Sequence, residues 1–239
     1  MKASCSLWSA DLLALKNSIE ILSGCADEFH IDLMDGVCVP HVLFGLDFVA
    51  AMRRATETPL DVHLMTRTSV ELVDRAVEAG AARLAVHASF CDDVCAILRR
   101  IRERGATPVL VVPLDVAIDG RSLPWGFFER VLLMGTRIGI KGVGLDPSIP
   151  DRIAALRRWR AAFSLEFEIF VDGGIRSTTA PILADAGADG IVPGSLVFGA
   201  PDPIAIVRWI HSLRARDGKL PIDSREMPAV RREETVVTL

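Results

Sequence analysis

The sequence predicts an α/β fold of the (β/α)8 TIM-barrel type, built as a single domain. Short apolar segments alternate eight times with segments of helical periodicity, which is the pattern of successive β/α units. No low-complexity linker divides the 239 residues. Histidine and aspartate side chains fall at the C-terminal ends of several predicted strands, the end at which barrel enzymes build their active sites. A doubly wound open sheet is the alternative architecture.

Eight predicted strands supply the barrel. Each is a short run rich in apolar residues, as expected for parallel strands that are buried on both faces. In chain order they are Lys2–Trp8, Glu28–Met34, Leu60–Met65, Arg83–His87, Pro108–Val112, Arg130–Met134, Glu168–Asp172 and Gly190–Pro193.

Amphipathic segments follow the strands. The first opens at Ser9–Asp11 and carries leucines at helical spacing, and Gly80 and Gly105 are predicted to end two others. These units place the barrel in residues 1–216, followed by a tail, residues 217–239. The later predicted helices are Leu46–Arg54, Ser69–Ala79, Asp92–Arg104, a weak Leu123–Phe128, Ile149–Phe163, Thr178–Ala186 and Pro203–Ala215.

Candidate catalytic groups lie on three of the strands. Side chains alternate between the two faces of a strand, so His30 shares a face with Asp32, and Asp61 shares one with His63. Asp172 ends the seventh strand, just before a glycine pair. In a closed barrel the second and seventh strands are three positions apart. Asp32 and Asp172 should therefore approach a substrate from nearly opposite sides, which suits chemistry with two bases.

Composition excludes several other classes of protein. The formal net charge is -4, the pI is near 5.8 and no block of Lys and Arg is present, which argues against a nucleic acid partner. Five cysteines form neither a zinc-ribbon nor a disulfide pattern. The chain begins without a signal-peptide pattern, and no apolar window is long enough for a membrane span. We expect a cytoplasmic protein that acts on a small molecule, with no membrane partner.

The motifs at the strand ends resemble those of the ribulose-phosphate 3-epimerase family, within the ribulose-phosphate-binding barrel superfamily. The opening SLWSADL is similar to the family's Ser-x-x-Ser-Ala-Asp turn, and HIDLMDG, DVHLM and VDGGI are similar to its three site motifs. PGSLVFG resembles its closing motif. The similarity runs from about Ser4 to Ile206, and the motifs are specific in combination.

The resemblance implies an isomerase that inverts carbon 3 of a ketose phosphate, with D-ribulose 5-phosphate and D-xylulose 5-phosphate as the default pair. Asp32 and Asp172 would be the catalytic acid and base. A metal next to the ketone stabilises the negative charge that builds on oxygen when the C3 proton leaves. The implied ligands of one divalent ion, which by ligand type is Zn, Mn, Fe or Co, are His30, Asp32, His63 and Asp172.

Residues that bind the sugar phosphate are implied in the same way. Ser6 resembles a substrate-contacting serine of the family, and methionines are expected around the reacting carbons. Glycines after the last two strands should bind phosphate, because free N–H groups at helix starts attract anions. The implied set is Ser6, Met34, His63, Met65, Met134, Gly139, Lys141, Gly142, Gly173, Gly174, Gly194 and Ser195.

The loop after the sixth strand departs from the family pattern. Members usually carry Met-x-Val-x-Pro-Gly-Phe-Gly-Gly-Gln, whereas this chain reads MGTRIGIKGVG from Met134. Gly139 and Gly142 align with two of the family's glycines. We hypothesise that Lys141 or Arg137 contacts phosphate or a distal hydroxyl in place of the lost backbone cradle. The residues that replace the family's Pro, Phe, one Gly and Gln are Ile138, Ile140, Lys141 and Val143.

Other functions stay open. An alternative substrate is a different ketose phosphate, such as allulose 6-phosphate or a tetrulose phosphate. A sister barrel for decarboxylation or aldol chemistry needs Asp-x-Lys-x-x-Asp, and HIDLMDG has no lysine there. A catalytically silent phosphosugar-binding barrel would not need the four ligand-type residues.

We also expect a homo-oligomer, with the tail, residues 217–239, disordered or packed on a neighbouring subunit.

Overall fold

Eight parallel strands close into a barrel in the computed structural model, which describes residues 1–214. The first strand pairs with the second on one side and with the last on the other, which closes the sheet. The predicted single (β/α)8 TIM barrel is confirmed. The strands are β1 (Lys2–Ser6), β2 (Glu28–Asp35), β3 (Val42–Leu43), β4 (Leu60–Met65), β5 (Arg83–His87), β6 (Thr107–Val112), β7 (Arg130–Met134), β8 (Glu168–Asp172) and β9 (Gly190–Val192).

The short strand β3 is not part of the barrel wall. It pairs antiparallel with the end of β2 and forms a small hairpin above the barrel. Helices cover the outside of the sheet and bury their apolar faces against the strands. They are α1 (Leu15–Leu22), α2 (Leu46–Ala55), α3 (Val70–Glu78), α4 (Val94–Glu103), α5 (Ile149–Ala162), α6 (Ala180–Ala186), α7 (Ser195–Phe198) and α8 (Pro203–Ser212).

The connection between β6 and β7 contains no α-helix, so the predicted helix Leu123–Phe128 was wrong. Pro124 brings no backbone N–H, and Gly126 has a φ of 85°, which stops helical propagation. Trp125 instead packs its ring near Trp159 of α5. Aromatic packing thus covers this part of the barrel in place of a helix.

The first connection also differs from the prediction. Strand β1 ends at Ser6, and a 3-10 turn over Leu7–Ser9 follows it. Asp11 accepts a hydrogen bond from the backbone of Leu13, which makes a local turn, and α1 begins only at Leu15. The 3-10 turn brings the chain over the C-terminal end of the barrel.

The N-terminal end of the barrel interior is filled by a buried ionic network. Arg130 is fully buried and donates two hydrogen bonds to Glu28, of 2.7 and 2.8 Å. It donates another, of 2.6 Å, to Glu168, and its guanidinium carbon lies 3.6 Å from the centre of the Phe170 ring. The charges are paired on all sides, as buried charges must be. The interior is therefore closed here and can open only at the C-terminal end of the strands.

In residues 1–214, no helix is both long enough and apolar enough to cross a membrane. The predicted tail, residues 217–239, lies outside the described residues, as does Ala215, the predicted end of the last helix.

Candidate active site

Four side chains with metal-ligating atoms meet at the C-terminal end of the barrel. Strands β2 and β4 lie side by side in a register that puts Asp32 opposite His63. His30 lies one inward position earlier on β2, and Asp172 ends β8. One ligand atom from each of the four residues can be chosen so that all lie within 4.8 Å of one another. The predicted convergence of two histidines and two aspartates is thus present in the fold.

The cluster fits a divalent cation. His63 Nδ1 is buried and has no hydrogen-bond partner among the described residues, although it lies 3.3 Å from Asp32 Oδ1 and 3.8 Å from Asp172 Oδ2. His30 Nε2 lies 3.2 and 3.9 Å from the same two carboxylates. An unsatisfied imidazole nitrogen facing two carboxylates is what an ion would satisfy. Two nitrogens and two carboxylate oxygens suit zinc, manganese, iron or cobalt.

The two aspartates of the cluster have different acidities. Burial raises the pKa of Asp172 to about 6, and the negative charge of Asp32 adds to this rise while His30 opposes it. Burial alone would also raise the pKa of Asp32, but His30 and His63 outweigh it and hold that pKa well below its usual range. In the metal-free site Asp32 thus stays ionised, whereas Asp172 can gain or lose a proton near neutral pH.

A second layer of buried groups supports the histidines. His30 Nδ1 lies 2.9 Å from Asp61 Oδ2, and His63 Nε2 lies 2.8 Å from His87 Nε2. Asp61 and His87 are almost completely buried. Sequence reasoning placed Asp61 on the same face as His63 but gave it no role, and it did not identify His87. His87 could have been found, because it ends a predicted strand and shares its inward face with Ala85, which pairs with His63.

A cavity of about 300 Å³ opens above the cluster. This volume is at the lower end of the range for small-molecule sites, roughly 300–1,000 Å³. Met34 is not part of the lining and packs with Val39 and Met65 instead. His30 and His63 lie buried below the cavity floor. The predicted site residues that line the cavity are Ser6, Asp32, Met65, Met134, Gly139, Lys141, Gly142, Asp172, Gly173, Gly174, Gly194 and Ser195.

One wall of the cavity is backbone. Gly173 and Gly174 both have positive φ, and a Cβ on Gly174 would come within 2.5 Å of the Leu145 backbone. A Cβ on Gly194 would come within 2.4 Å of the Ser9 hydroxyl. Only glycine allows these close approaches. Both glycine segments precede helices, as predicted: Gly194 comes directly before α7, whereas α6 begins only at Ala180, six residues after Gly174.

Arg176 adds a cation to this wall, and sequence reasoning missed it. Its Nη1 lies 3.4 Å from Ser195 Oγ and donates to the carbonyl of Ile175. Arg176 follows the glycine pair by two positions, and a basic residue that close to a predicted phosphate loop was the available signal. Guanidinium groups are well suited to bind phosphate.

The divergent loop after β7 closes the cavity on the opposite side. Lys141 Nζ donates a 2.8 Å hydrogen bond to the backbone carbonyl of Trp8 and lies 5.2 Å from the centre of its ring. Removal from water lowers the pKa of Lys141, while Asp32 has the opposite effect. Arg137 also lines the cavity, and Gly139 packs tightly against Val39. The loop is therefore attached to the loops after β1 and β2.

A larger open groove, of about 1510 Å³, lies at the other end of the barrel. It is lined by residues at the strand starts, including Lys2 and Arg83, and by arginines of α5 such as Arg157. None of the four cluster residues reaches it. Because barrel enzymes work at the C-terminal end of the strands, the smaller cavity is the candidate active site.

Solved structures of other proteins share the fold. 3-Hexulose-6-phosphate synthase from Salmonella typhimurium superposes with a TM-score of 0.68 at 21% identity, covering 89% of this chain and 98% of its own. Phosphoribosyl anthranilate isomerase from Thermus thermophilus gives a TM-score of 0.64 at 16% identity, with 90% and 100% coverage. At these identities the likeness shows the barrel fold and nothing about activity.

Sequence comparisons are more specific. The model of the ribulose-phosphate 3 epimerase family matches residues 2–198. The ribulose-phosphate 3-epimerase of Bacillus subtilis is 34% identical over 204 residues, which cover 84% of this chain and 94% of that protein. The ribulose-phosphate 3-epimerase of Mycobacterium tuberculosis strain H37Rv is 34% identical over 206 residues, with 84% and 88% coverage. The chain therefore belongs to the ribulose-phosphate 3-epimerase family, whose members are isomerases that act on carbohydrates.

Proposed function

We propose that this protein is a metal-dependent ketose-phosphate 3-epimerase, with D-ribulose 5-phosphate and D-xylulose 5-phosphate as its default substrate pair. The observation that carries the proposal is a pair of carboxylates, Asp32 and Asp172, which line one cavity from two different strands. They form a single cluster with His30 and His63. Family membership supports the reaction class. The same geometry has no evident use in a barrel that only binds sugar phosphates.

One divalent ion would be held by His30, Asp32, His63 and Asp172. When bound, the ion would supply Lewis-acid stabilisation of negative charge on substrate oxygens. The support for this role is the buried His63 Nδ1, which faces Asp32 and Asp172 without a hydrogen-bond partner in the described part of the chain. The choice between Zn, Mn, Fe and Co does not follow from these ligand types.

Proton transfer would be divided between the two aspartates. Asp32 and Asp172 project from strands on different sides of the cavity, so one can remove the C3 proton from one face and the other can return a proton to the opposite face. Inversion at C3 follows from this division. Ser6 donates a 3.1 Å hydrogen bond to Asp32 Oδ2, which fixes the direction of that carboxylate.

The phosphate would bind at the glycine wall. Gly173, Gly174 and Gly194 bring bare backbone to the cavity, and Ser195 and Arg176 add a hydroxyl and a cation. These groups can neutralise and hydrogen-bond a phosphate dianion. The sugar carbons would then extend towards the metal cluster, between the methionines.

The remaining implied contacts belong to the sugar. Met65 and Met134 line the cavity and offer apolar, polarisable surface to the reacting carbons. Gly139, Lys141 and Gly142 line the loop side and would meet the sugar's hydroxyl groups. His63 would lie next to the substrate because it holds the ion. Met34 would not touch the substrate and would support Met65, on which it packs.

Proton NMR in deuterium oxide tests the proposal directly. The zinc-loaded or manganese-loaded protein is incubated with ribulose 5-phosphate, and the hydrogen on C3 is followed. We expect deuterium to enter C3 while xylulose 5-phosphate appears. Metal binding without C3 exchange or a new epimer would contradict the default substrate pair.

A second candidate substrate is favoured by one observation, the altered loop. Ile138, Ile140 and Val143 replace the family's Pro, Phe and Gln, and Lys141, which replaces a Gly, attaches the loop to Trp8. A ketose phosphate of another chain length, such as allulose 6-phosphate or a tetrulose phosphate, would meet this loop differently. The same NMR assay with these sugars decides between the candidates by comparing kcat/KM. A homo-oligomer and a cytoplasmic location stay predictions.

A further inference from the structure

The two histidines of the cluster turn different ring nitrogens towards its centre. His30 presents Nε2, which lies 3.2 Å from Asp32 Oδ1, whereas His63 presents Nδ1, which lies 3.3 Å from the same atom. An imidazole can bind a metal only through a nitrogen that carries no proton. The two rings therefore need opposite neutral tautomers, and something in the fold has to impose them.

The nitrogen of His63 that faces away from the cluster is in contact with His87. The two Nε2 atoms are 2.8 Å apart, and both side chains are fully buried. At this distance one nitrogen must donate and the other accept, because two N–H groups would repel each other. If His63 keeps Nδ1 free for an ion, its proton lies on Nε2 and points at His87. His87 must then accept at Nε2 and carry its own proton on Nδ1.

The outward nitrogen of His30 is in contact with a carboxylate. His30 Nδ1 lies 2.9 Å from Asp61 Oδ2, and a carboxylate at this distance accepts a proton from the ring. Asp61 is itself held in place by the Ser4 hydroxyl, at 3.3 Å, and by Arg130, whose Nη1 lies 3.9 Å away. Arg130 belongs to the buried network at the other end of the barrel, so the orientation of His30 is tied to the barrel core.

We propose that Asp61 and His87 are positioning residues of the metal centre, which fix opposite tautomers of its two histidine ligands. Asp61 holds the proton of His30 on Nδ1, and His87 holds the proton of His63 on Nε2. Neither residue touches the cavity. The inference rests on the metal site of the proposed function and deepens it, because it explains which nitrogen of each ring the barrel leaves to the ion. Outer groups of this kind commonly change metal affinity about 10–100-fold.

Zinc affinity of His87 variants tests the proposal, measured by competition with a chromophoric chelator. His87→Leu removes the acceptor, and we expect zinc to bind about 10–100-fold more weakly. His87→Gln restores an acceptor oxygen and should recover most of the affinity. The matched control is His211→Leu, because His211 pairs with Asp27 at 2.8 Å, away from the cluster, and its loss should leave zinc affinity unchanged. Unfolding midpoints of the metal-free proteins identify any variant that does not fold.

The outcomes separate this inference from the proposed function. Zinc bound as tightly by folded His87→Leu as by the wild type would overturn the positioning role alone. A wild-type protein that binds no zinc would overturn both the metal site and the positioning role. The wild type also offers a test without substitution, since nitrogen NMR of ¹⁵N-histidine-labelled, zinc-loaded protein reports each tautomer. We expect a protonated Nδ1 in His30 and a protonated Nε2 in His63, and the same tautomer in both would overturn the proposal.

Discussion

Lys141 donates a hydrogen bond to the backbone carbonyl of Trp8 across the mouth of the cavity, at 2.8 Å. This contact joins the divergent loop after β7 to the 3-10 turn after β1. Its ammonium group also lies 5.2 Å from the centre of the Trp8 ring, a cation–π distance. The loop that departs most from the family pattern is thus attached to Trp8 by Lys141, a residue that the family pattern lacks.

Lys141→Ala should weaken substrate binding more than it slows chemistry. The variant loses a hydrogen bond from a charged donor, and the loop is no longer attached to Trp8. We expect KM to rise about tenfold, the lower end of what such a bond contributes, with kcat changed less. Steady-state kinetics with ribulose 5-phosphate measure both. Lys16 is an exposed lysine on α1, and Lys16→Ala is the control. An unchanged KM for Lys141→Ala would contradict a role of Lys141 in substrate binding.

Asp32→Asn and Asp172→Asn should each slow epimerisation strongly but differ in the proton exchange that remains. Loss of a general acid or base lowers kcat by roughly 10²–10⁴-fold. If each aspartate serves one face of C3, each variant should retain residual deuterium exchange from one epimer only, and the two variants should favour opposite epimers. NMR with ribulose 5-phosphate and xylulose 5-phosphate separately checks this. Metal content must be measured in parallel, because both residues are also expected ligands, and equal residual exchange from both epimers would contradict the division.

Zinc affinity should fall as the pH falls, and it should fall more steeply below about pH 6, the pKa of Asp172. In the metal-free site, Asp32 and Asp61 raise the pKa of His30 well above its ordinary value, although burial acts in the opposite direction. Burial raises the pKa of Asp172 to about 6. The free site thus carries more protons than the loaded one, so affinity falls as the pH falls.

Calorimetry of zinc binding in buffers of different ionisation enthalpy measures this proton release. We expect about one proton, from His30, to be released at pH 7, and about two at pH 5, where Asp172 is also protonated. The Asp172→Asn variant is the control and should release about one proton at both pH values. Proton release that is the same at pH 5 and pH 7 in the wild type would argue against the raised pKa of Asp172.

Strand patterning was enough to predict that the two histidines and two aspartates meet, because side-chain alternation and parallel strands put C-terminal residues around one opening. Their role as metal ligands was implied by the family resemblance. His30, Asp32 and His63 follow from this rule. The rule gives the face of a strand but not the depth of a side chain. Met34 shares the inward face of β2, yet the hairpin with β3 turns the chain there, and Met34 packs on Val39.

Other features depend on contacts that no local pattern contains. His87 enters the site only because β4 and β5 are neighbours in a register that brings its ring to His63. Arg176 lies on a loop whose path depends on the packing of Gly174 against Leu145. Periodicity in a single sequence places His87 at a strand end and Arg176 near a glycine pair, but it does not give these tertiary contacts.

The buried network at the N-terminal end should make Arg130 a stability determinant. Arg130→Met removes both of the hydrogen bonds that Glu28 accepts from Arg130. Glu28 is almost completely buried and would keep only the partly exposed Arg83, at 3.3 Å, as an ion partner. Breaking a buried ion pair from one side costs about 3–5 kcal/mol in the free energy of unfolding. Urea unfolding of the metal-free protein measures the loss. The double variant Glu28→Gln and Arg130→Met should recover part of it, because the remaining amide is neutral. A single variant as stable as the wild type would show that the network does not hold the barrel together.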